Sequence, residues 1–301
     1  MIEYLRHNEI DKVKWDICVG NTPGCKPYGY SWYLDIMAPG WEALVDDDYD
    51  SVFPVPAFRR FGLYYIATPV FLQQLGIFSP DNDIKAKLNE YLEYMPDFYR
   101  LVDLTIAQTP VVSRFRVATK DNFELPLSGD YSKLRENYSS DCRRNIRIAS
   151  ENAQKIEELS DPDEAINLFR NNRGRGLKGV KDRDYRKLHR LIRFAIDRGK
   201  GRLIGVRNSN RQLIYGLFMV IVPGSVTLLF TATSEESREK KTGYLVIDSI
   251  ISEFSSSNMI LDFAGSSIPS IADYNRSFGG VRKQYYRIYR NRLPWPVRMF
   301  K

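Results

Sequence analysis

Between Val226 and Arg290 the apolar positions switch period repeatedly, and each switch marks an element. Val226–Thr233 is a run of apolar and β-branched residues, as in a strand covered on both faces. A basic loop with Arg238, Lys240, Lys241, Thr242 and Gly243 follows, and the period then becomes helical over Tyr244–Phe254. Met259–Phe263 predicts a second strand. It ends in Ala264-Gly265-Ser266-Ser267, small residues that let backbone or substrate approach closely. Ser267 or Ser270 then caps a helix with Ile271, Tyr274 and Phe278 on one face, stopped by Gly279-Gly280. Gln284–Tyr289 alternates and predicts a last strand before Leu293-Pro294-Trp295-Pro296.

The preceding chain reads the same way. Glu9–Val19 predicts a helix capped by Asn8, with Ile10, Val13 and Ile17 as its apolar stripe. Tyr28–Met37 predicts a short helical or turn-rich segment containing Tyr30, Trp32 and Tyr33. Trp41–Val45, Ser51–Phe58 and Leu63–Ala67 predict an antiparallel meander, divided by the solvated turn Asp46-Asp47-Asp48 and by Arg59–Gly62. Gln73 and Gln74 place side-chain amides among apolar neighbours, suited either to a substrate or to buried backbone. Asp83–Met95 predicts an amphipathic helix and Tyr99–Ala107 a strand. Phe115–Ala118 and Phe123–Leu127 predict a hairpin. Tyr131–Glu157 predicts one helix, basic at Arg135, Arg143, Arg144 and Arg147. Asp163–Arg173 and Asp182–Asp197 predict two more, joined by a Gly/Arg linker that is either a phosphate-binding loop or a solvated connection. Arg202–Arg207 and Leu213–Val222 form a hairpin leading into the opening stretch. Helices and strands recur in a similar order in each half, which predicts an α/β chain of the α+β kind with two lobes, 1–115 and 116–301.

Composition narrows the class. At 301 residues, with 19 Tyr and 16 Phe, the chain buries full cores and is not disordered. Charges interrupt every apolar stretch, so neither a transmembrane segment nor a leader is expected, and a cytoplasmic protein is. Three cysteines (Cys18, Cys25, Cys142) and two histidines fit a reducing compartment and no metal site. Residues 1–130 carry 12 Lys+Arg against 19 Asp+Glu, whereas residues 131–301 carry 32 against 18. The basic half suits a phosphorylated ligand or nucleic acid.

These motifs resemble the GNAT N-acyltransferase superfamily, in its FemAB-like branch. The resemblance rests on Arg238–Gly243, on Leu261-Asp262-Phe263-Ala264-Gly265-Ser266, on Ile268-Pro269-Ser270-Ile271-Ala272, on Tyr274 through Phe278-Gly279, and on Asn291-Arg292-Leu293-Pro294. It extends to Tyr30-Ser31-Trp32-Tyr33-Leu34-Asp35 and Gln73-Gln74-Leu75-Gly76, and such segments recur in bacterial proteins of the branch, those of Bacteroidetes among them. It implies tandem GNAT-like lobes with mixed, mostly antiparallel sheets and splayed strands in the second lobe. It also implies an acyl donor, acyl-CoA, held by Arg238, Lys240, Lys241, Thr242, Gly243 and Tyr244. On this resemblance Tyr30, Trp32, Tyr33, Gln73, Gln74 and Gly265 meet the amine-bearing acceptor, whereas composition alone makes the three aromatics core residues.

Acyl transfer to an amine needs a held donor, a polarised carbonyl and a destination for the amine proton. No Gly-x-Ser-x-Gly or Cys/His pair is present, and the proton-handling candidates are Ser266, Asp262 and Tyr274. GNAT enzymes often carry a tyrosine four residues before a glycine in this helix; here that position is Asn275, and Tyr274 is one removed. Two other functions fit the sequence. One is a Fem-type aminoacyltransferase taking aminoacyl-tRNA to a cell-wall or related precursor. The other is a non-catalytic nucleic-acid-binding protein, to which the Gly/Arg linker would contribute.

Overall fold

The computed structural model describes residues 1–81, 83, 87–111, 114–152, 154–177, 179–265, 268–295 and 298. The chain forms two compact units, Met1–Asp121 with Gln284–Lys301, and Asn122–Lys283.

The first unit opens with β1 (Ile2–Leu5) and α1 (Lys12–Asn21). The helix starts later than expected because the Asp11 carboxylate, not Asn8, caps it, accepting from Val13 N at 3.0 Å and Lys14 N at 3.1 Å. Its inward face is Trp15, Cys18 and Val19, while Val13 and Ile17 of the expected stripe face solvent. α2 (Ser31–Met37) follows. β2 (Glu42–Asp46) and β3 (Ser51–Val55) extend β1 into a three-stranded antiparallel sheet in the order β1-β2-β3. Pro56 then ends the strand expected to run to Phe58, since proline offers no N–H to a ladder. β4 (Ala57–Arg60) and β5 (Leu63–Ala67) form a separate hairpin. Its turn, Phe61-Gly62, has positive φ at both residues (50° and 76°), as tight hairpins prefer. After α3 (Leu88–Tyr94), β6 (Tyr99–Ile106) runs parallel to β5. The beginning of the helix predicted at Asp83–Met95 falls partly outside the described residues.

β7 (Arg116–Pro126) is one strand where a hairpin was expected, and its last residues enter the second unit. The single basic helix expected next is two helices and a strand: α4 (Tyr131–Glu136), α5 (Ser140–Glu151) and β8 (Ile156–Glu158). Ser139 divides the helices, because its hydroxyl accepts from Cys142 N at 3.1 Å and so caps α5. α6 (Pro162–Asn171) and α7 (Asp182–Asp197) then precede β9 (Gly201–Arg207), β10 (Leu213–Val222) and β11 (Ser225–Thr233). α8 (Glu235–Glu239), α9 (Thr242–Phe254), β12 (Ile260–Asp262) and α10 (Pro269–Ser277) complete the unit. Its strands lie in the order β7-β12-β11-β10-β9-β8, antiparallel except for β11 beside β12. Apolar faces of α5 and α9 pack on this sheet through Cys142, Ile146, Val246, Ile247, Ile250 and Ile251.

β13 (Val281–Asn291) returns to the first unit, where Tyr286–Asn291 pairs antiparallel with β6. That pairing corrects the expected division at residue 116: the carboxy-terminal segment belongs with the amino-terminal residues. Among the described residues no helix is long and apolar enough to cross a membrane.

Candidate active site

β11 and β12 pair in parallel over three positions, from Ser225↔Ile260 to Thr227↔Asp262. β12 then ends, β11 continues to Thr233, and the strands part as expected. A cavity of about 320 Å³ opens beside the unpaired part of β11. Its deep wall is apolar, with Leu228, Ile247 and Phe263 buried and Ile271 half-buried. Three cations line it as well: Arg238 and Arg173, both exposed, and the half-buried Lys241. None of the three is held in an ion pair among the described residues.

Local sequence explains how the cations reach this place. Ser234 caps α8 by accepting from Ser237 N at 3.0 Å, so Arg238 sits on a short helix rather than in the expected loop. Lys241 adopts the left-handed conformation (φ 57°), turning the chain sharply from α8 into α9. The positive end of α9 therefore lies at the cavity wall, which Gly243 and Tyr244 line beside the lysine. Gly243 sits where three elements meet. A Cβ there would lie 3.0 Å from the Tyr274 hydroxyl and 3.4 Å from the Tyr215 ring. Tyr244 packs edge-on against Tyr274, with ring centroids 4.8 Å apart. Burial first, and then the neighbouring Tyr215 and Tyr244 hydroxyls, hold the Tyr274 hydroxyl well above its ordinary pKa. Burial likewise raises Tyr215. Tyr274 is therefore a protonated donor at neutral pH.

Of the expected site residues, Arg238, Lys241, Gly243, Tyr244 and Tyr274 line this cavity. Others are placed elsewhere. The Lys240 ammonium pairs with Glu236 at 2.7 Å. Thr242 is fully buried, its hydroxyl donating to Gln154, whose amide in turn donates to Lys240 O at 3.0 Å. Asp262 is fully buried and accepts from Asn122 Nδ2 and Ala264 N, both at 2.9 Å. Gly265 follows in the same turn with φ 86°, its N–H donating to Asn122 Oδ1 at 2.6 Å. Ser266 lies outside the described residues. In the first unit Tyr30, Trp32 and Tyr33 are buried, and Tyr33 donates to Phe71 O. Gln74 is buried too, and the Gln73 carbonyl accepts from the Thr105 hydroxyl. The three aromatics and Gln74 are buried within that unit, and Gln73 is half-buried.

Arg173, Tyr215 and Asn275 were missed as site residues. Arg173 belongs to the Gly/Arg linker, so the phosphate-loop reading held its signal, and Asn275 occupies the position four before Gly279. Cys142 is buried, which pushes its thiol up to about 12 and excludes a ready nucleophile. A larger depression of about 780 Å³ lies between α6 and α7. Its walls are mostly charged side chains such as Arg170 and Asp182, which pair with each other at 2.6 Å. Asp161, Asp163 and His189 meet there within 4.8 Å at the surface. Neither feature combines an apolar interior with converging polar groups, as the smaller cavity does.

At the level of sequence no family model matches the chain, and no curated protein does. Solved structures give the class: the fold is that of FemX. FemX superposes with a TM-score of 0.65 at 11% identity, covering 94% of this chain and 96% of FemX. A protein of unknown function from Bacteroides thetaiotaomicron gives 0.59 at 11% identity, covering 96% and 99%. The C-terminal domain of a protein from Agrobacterium fabrum, described as a lysylphosphatidylglycerol synthetase, gives 0.59 at 7% identity, covering 96% and 94%. At such identities the likeness is one of fold.

Proposed function

We propose that the chain is an N-acyltransferase that moves an acyl group from an acyl-thioester of the CoA class to an amine. The observation that carries this reading is the cavity where β11 leaves β12, with cations and a helix N-terminus at one side and an apolar interior. Phosphates of the donor meet Arg173, Arg238, Lys241 and the start of α9. The acyl end enters among Leu228, Ile247, Phe263 and Ile271. The amine attacks the thioester carbonyl, and Tyr274 gives its proton to the departing sulfur. The acceptor is an amine-bearing small molecule or precursor.

The fold shared with FemX favours a second reading, transfer of an aminoacyl group from aminoacyl-tRNA. The cavity's charge argues for the first. An aminoacyl donor carries an α-ammonium next to its carbonyl, and among the described lining residues there is no carboxylate to receive it. An uncharged acyl group meets no such repulsion.

A thermal-shift comparison separates the two. Acetyl-CoA at roughly 100 times its dissociation constant should stabilise the protein by about 2.7 kcal/mol, by mass action. Stabilisation by aminoacyl-tRNA and none by acetyl-CoA or CoA would reverse the choice. The cations supply a second check. Lys241→Gly should weaken CoA binding roughly fivefold at low ionic strength and less at high, as exposed charges are screened. It should leave stability equal or higher, since glycine favours the left-handed conformation. Lys240→Ala should keep affinity within about twofold, because that ammonium is already paired. Calorimetry showing equal losses in the two variants would remove Lys241 from the site.

A further inference from the structure

Asn275 is 3% exposed and stands on the wall of the donor cavity. Ile271 and Tyr274 precede it by four and one positions, and all three line the cavity from α10. The Asn275 side chain differs from its neighbours in one respect. Its Nδ2 is buried, and among the described residues no group accepts a hydrogen bond from it. Folded proteins seldom leave a buried amide donor in that condition, and each exception calls for a cause. The cavity it borders is walled in part by Phe263 and Ile271, which suit an apolar guest and offer no side-chain acceptor. A thioester brings one good acceptor into such a place, its carbonyl oxygen.

We propose that Asn275 is a catalytic residue whose Nδ2–H donates to the carbonyl oxygen of the acyl donor, an inference that rests on the donor site proposed above. As the amine nitrogen bonds to the carbonyl carbon, the carbonyl π pair moves onto oxygen, where the amide N–H receives it. The carbonyl re-forms as the C–S bond breaks and its electron pair goes to sulfur. Tyr274 delivers its proton to sulfur and takes one back from the nitrogen, so the amine proton is accounted for, the phenol is restored and the products are an amide and a thiol. A neutral amide suits the task, since it polarises the carbonyl without adding a fourth cation beside Arg173, Arg238 and Lys241. A single donor so placed is commonly worth about 100-fold or more in turnover.

Acetyl-CoA and S-ethyl-CoA differ by the carbonyl oxygen alone, and calorimetry with both tests the contact. The wild-type protein should prefer acetyl-CoA roughly tenfold, the worth of one good hydrogen bond. Asn275→Leu should bind the two equally and turn over about 100-fold more slowly. It should also melt at or above the wild-type temperature, because an orphan buried donor has been removed. Asn275→Asp keeps the shape, offers only acceptors, and should lose the preference as well. The proposal is overturned if Asn275→Leu keeps the preference. A drop of several degrees in melting temperature for both variants also overturns it, by showing that the amide is bonded within the fold. Equal wild-type binding of the two ligands refutes the contact while leaving the donor site standing. Failure to bind either one removes both.

Discussion

Tyr274→Phe should slow acyl transfer by roughly 100-fold or more, with donor affinity and melting temperature close to wild type. The Tyr274 hydroxyl lies at the start of α9, 3.0 Å from the position a Cβ would take on Gly243. Burial holds it well above its ordinary pKa, so it stays a donor through the physiological range. A departing thiolate needs a proton, and a buried neutral phenol beside it supplies one. Phenylalanine keeps the ring contacts with Tyr244 and Phe278, so packing changes little. Single-turnover rates and calorimetric affinities on both proteins check the expectation. The pH profile adds a signed test. Because the folded-state pKa is raised, the protonated form and the stability linked to it are intact below about pH 10 and decline only as pH rises toward the folded value. A limb of the rate profile below pH 10 that disappears in Tyr274→Phe would contradict the assignment, as would a fully active variant.

How much of this was legible depended on whether an element is specified locally. α7, the β9–β10 hairpin and β11 were read with nearly their observed bounds, since each has a strong period and a clear terminator. α1 was misread in register because it carries apolar residues on two faces, and periodicity cannot choose between Val13/Ile17 and Trp15/Cys18/Val19. The α4–α5 break rests on one serine hydroxyl, and serines are common in polar helices that do not break. In the site, the cluster around α9 was legible because cations and glycine sit together in sequence. Lys240 and Thr242 carried the same signal, yet Glu236 and Gln154 claim them, and nothing local distinguishes Lys240 from Lys241 except the turn conformation. Arg173 and Tyr215 come from distant segments, so only the folded sheet brings them to the cavity. The return of β13 to β6 is likewise a long-range pairing that no window of sequence reveals.

Asp262→Ala should destabilise the second unit by about 3–5 kcal/mol, the largest stability effect expected for a single site residue. The carboxylate is fully buried at the end of β12, where it accepts from Asn122 Nδ2 and Ala264 N at 2.9 Å each. Asn122, itself 1% exposed, accepts in turn from Gly265 N at 2.6 Å. The three residues fix a turn that passes through positive φ at both Ala264 (54°) and Gly265 (86°). Without the carboxylate the buried Asn122 amide keeps only a 3.5 Å contact with Glu124 Oε1 and the half-buried Ala264 N–H loses its acceptor, at about 1–3 kcal/mol apiece, and the positive φ at Ala264 loses the bond that supports it. For a unit of this size each kcal/mol moves the melting temperature by about 2–4 °C, so a fall of roughly 10 °C is expected. The same geometry means that Gly265→Val is strained by its backbone alone, and lost activity in that variant would report folding rather than obstruction. Asp262→Asn separates structure from chemistry, since it keeps the shape and one acceptor. It should lose only about 1–2 kcal/mol and keep a single-turnover rate within a few-fold of wild type. An Asp262→Asn protein that melts normally but transfers no acyl group would instead make the carboxylate part of the chemistry, and the turn's stability would have to be explained without it.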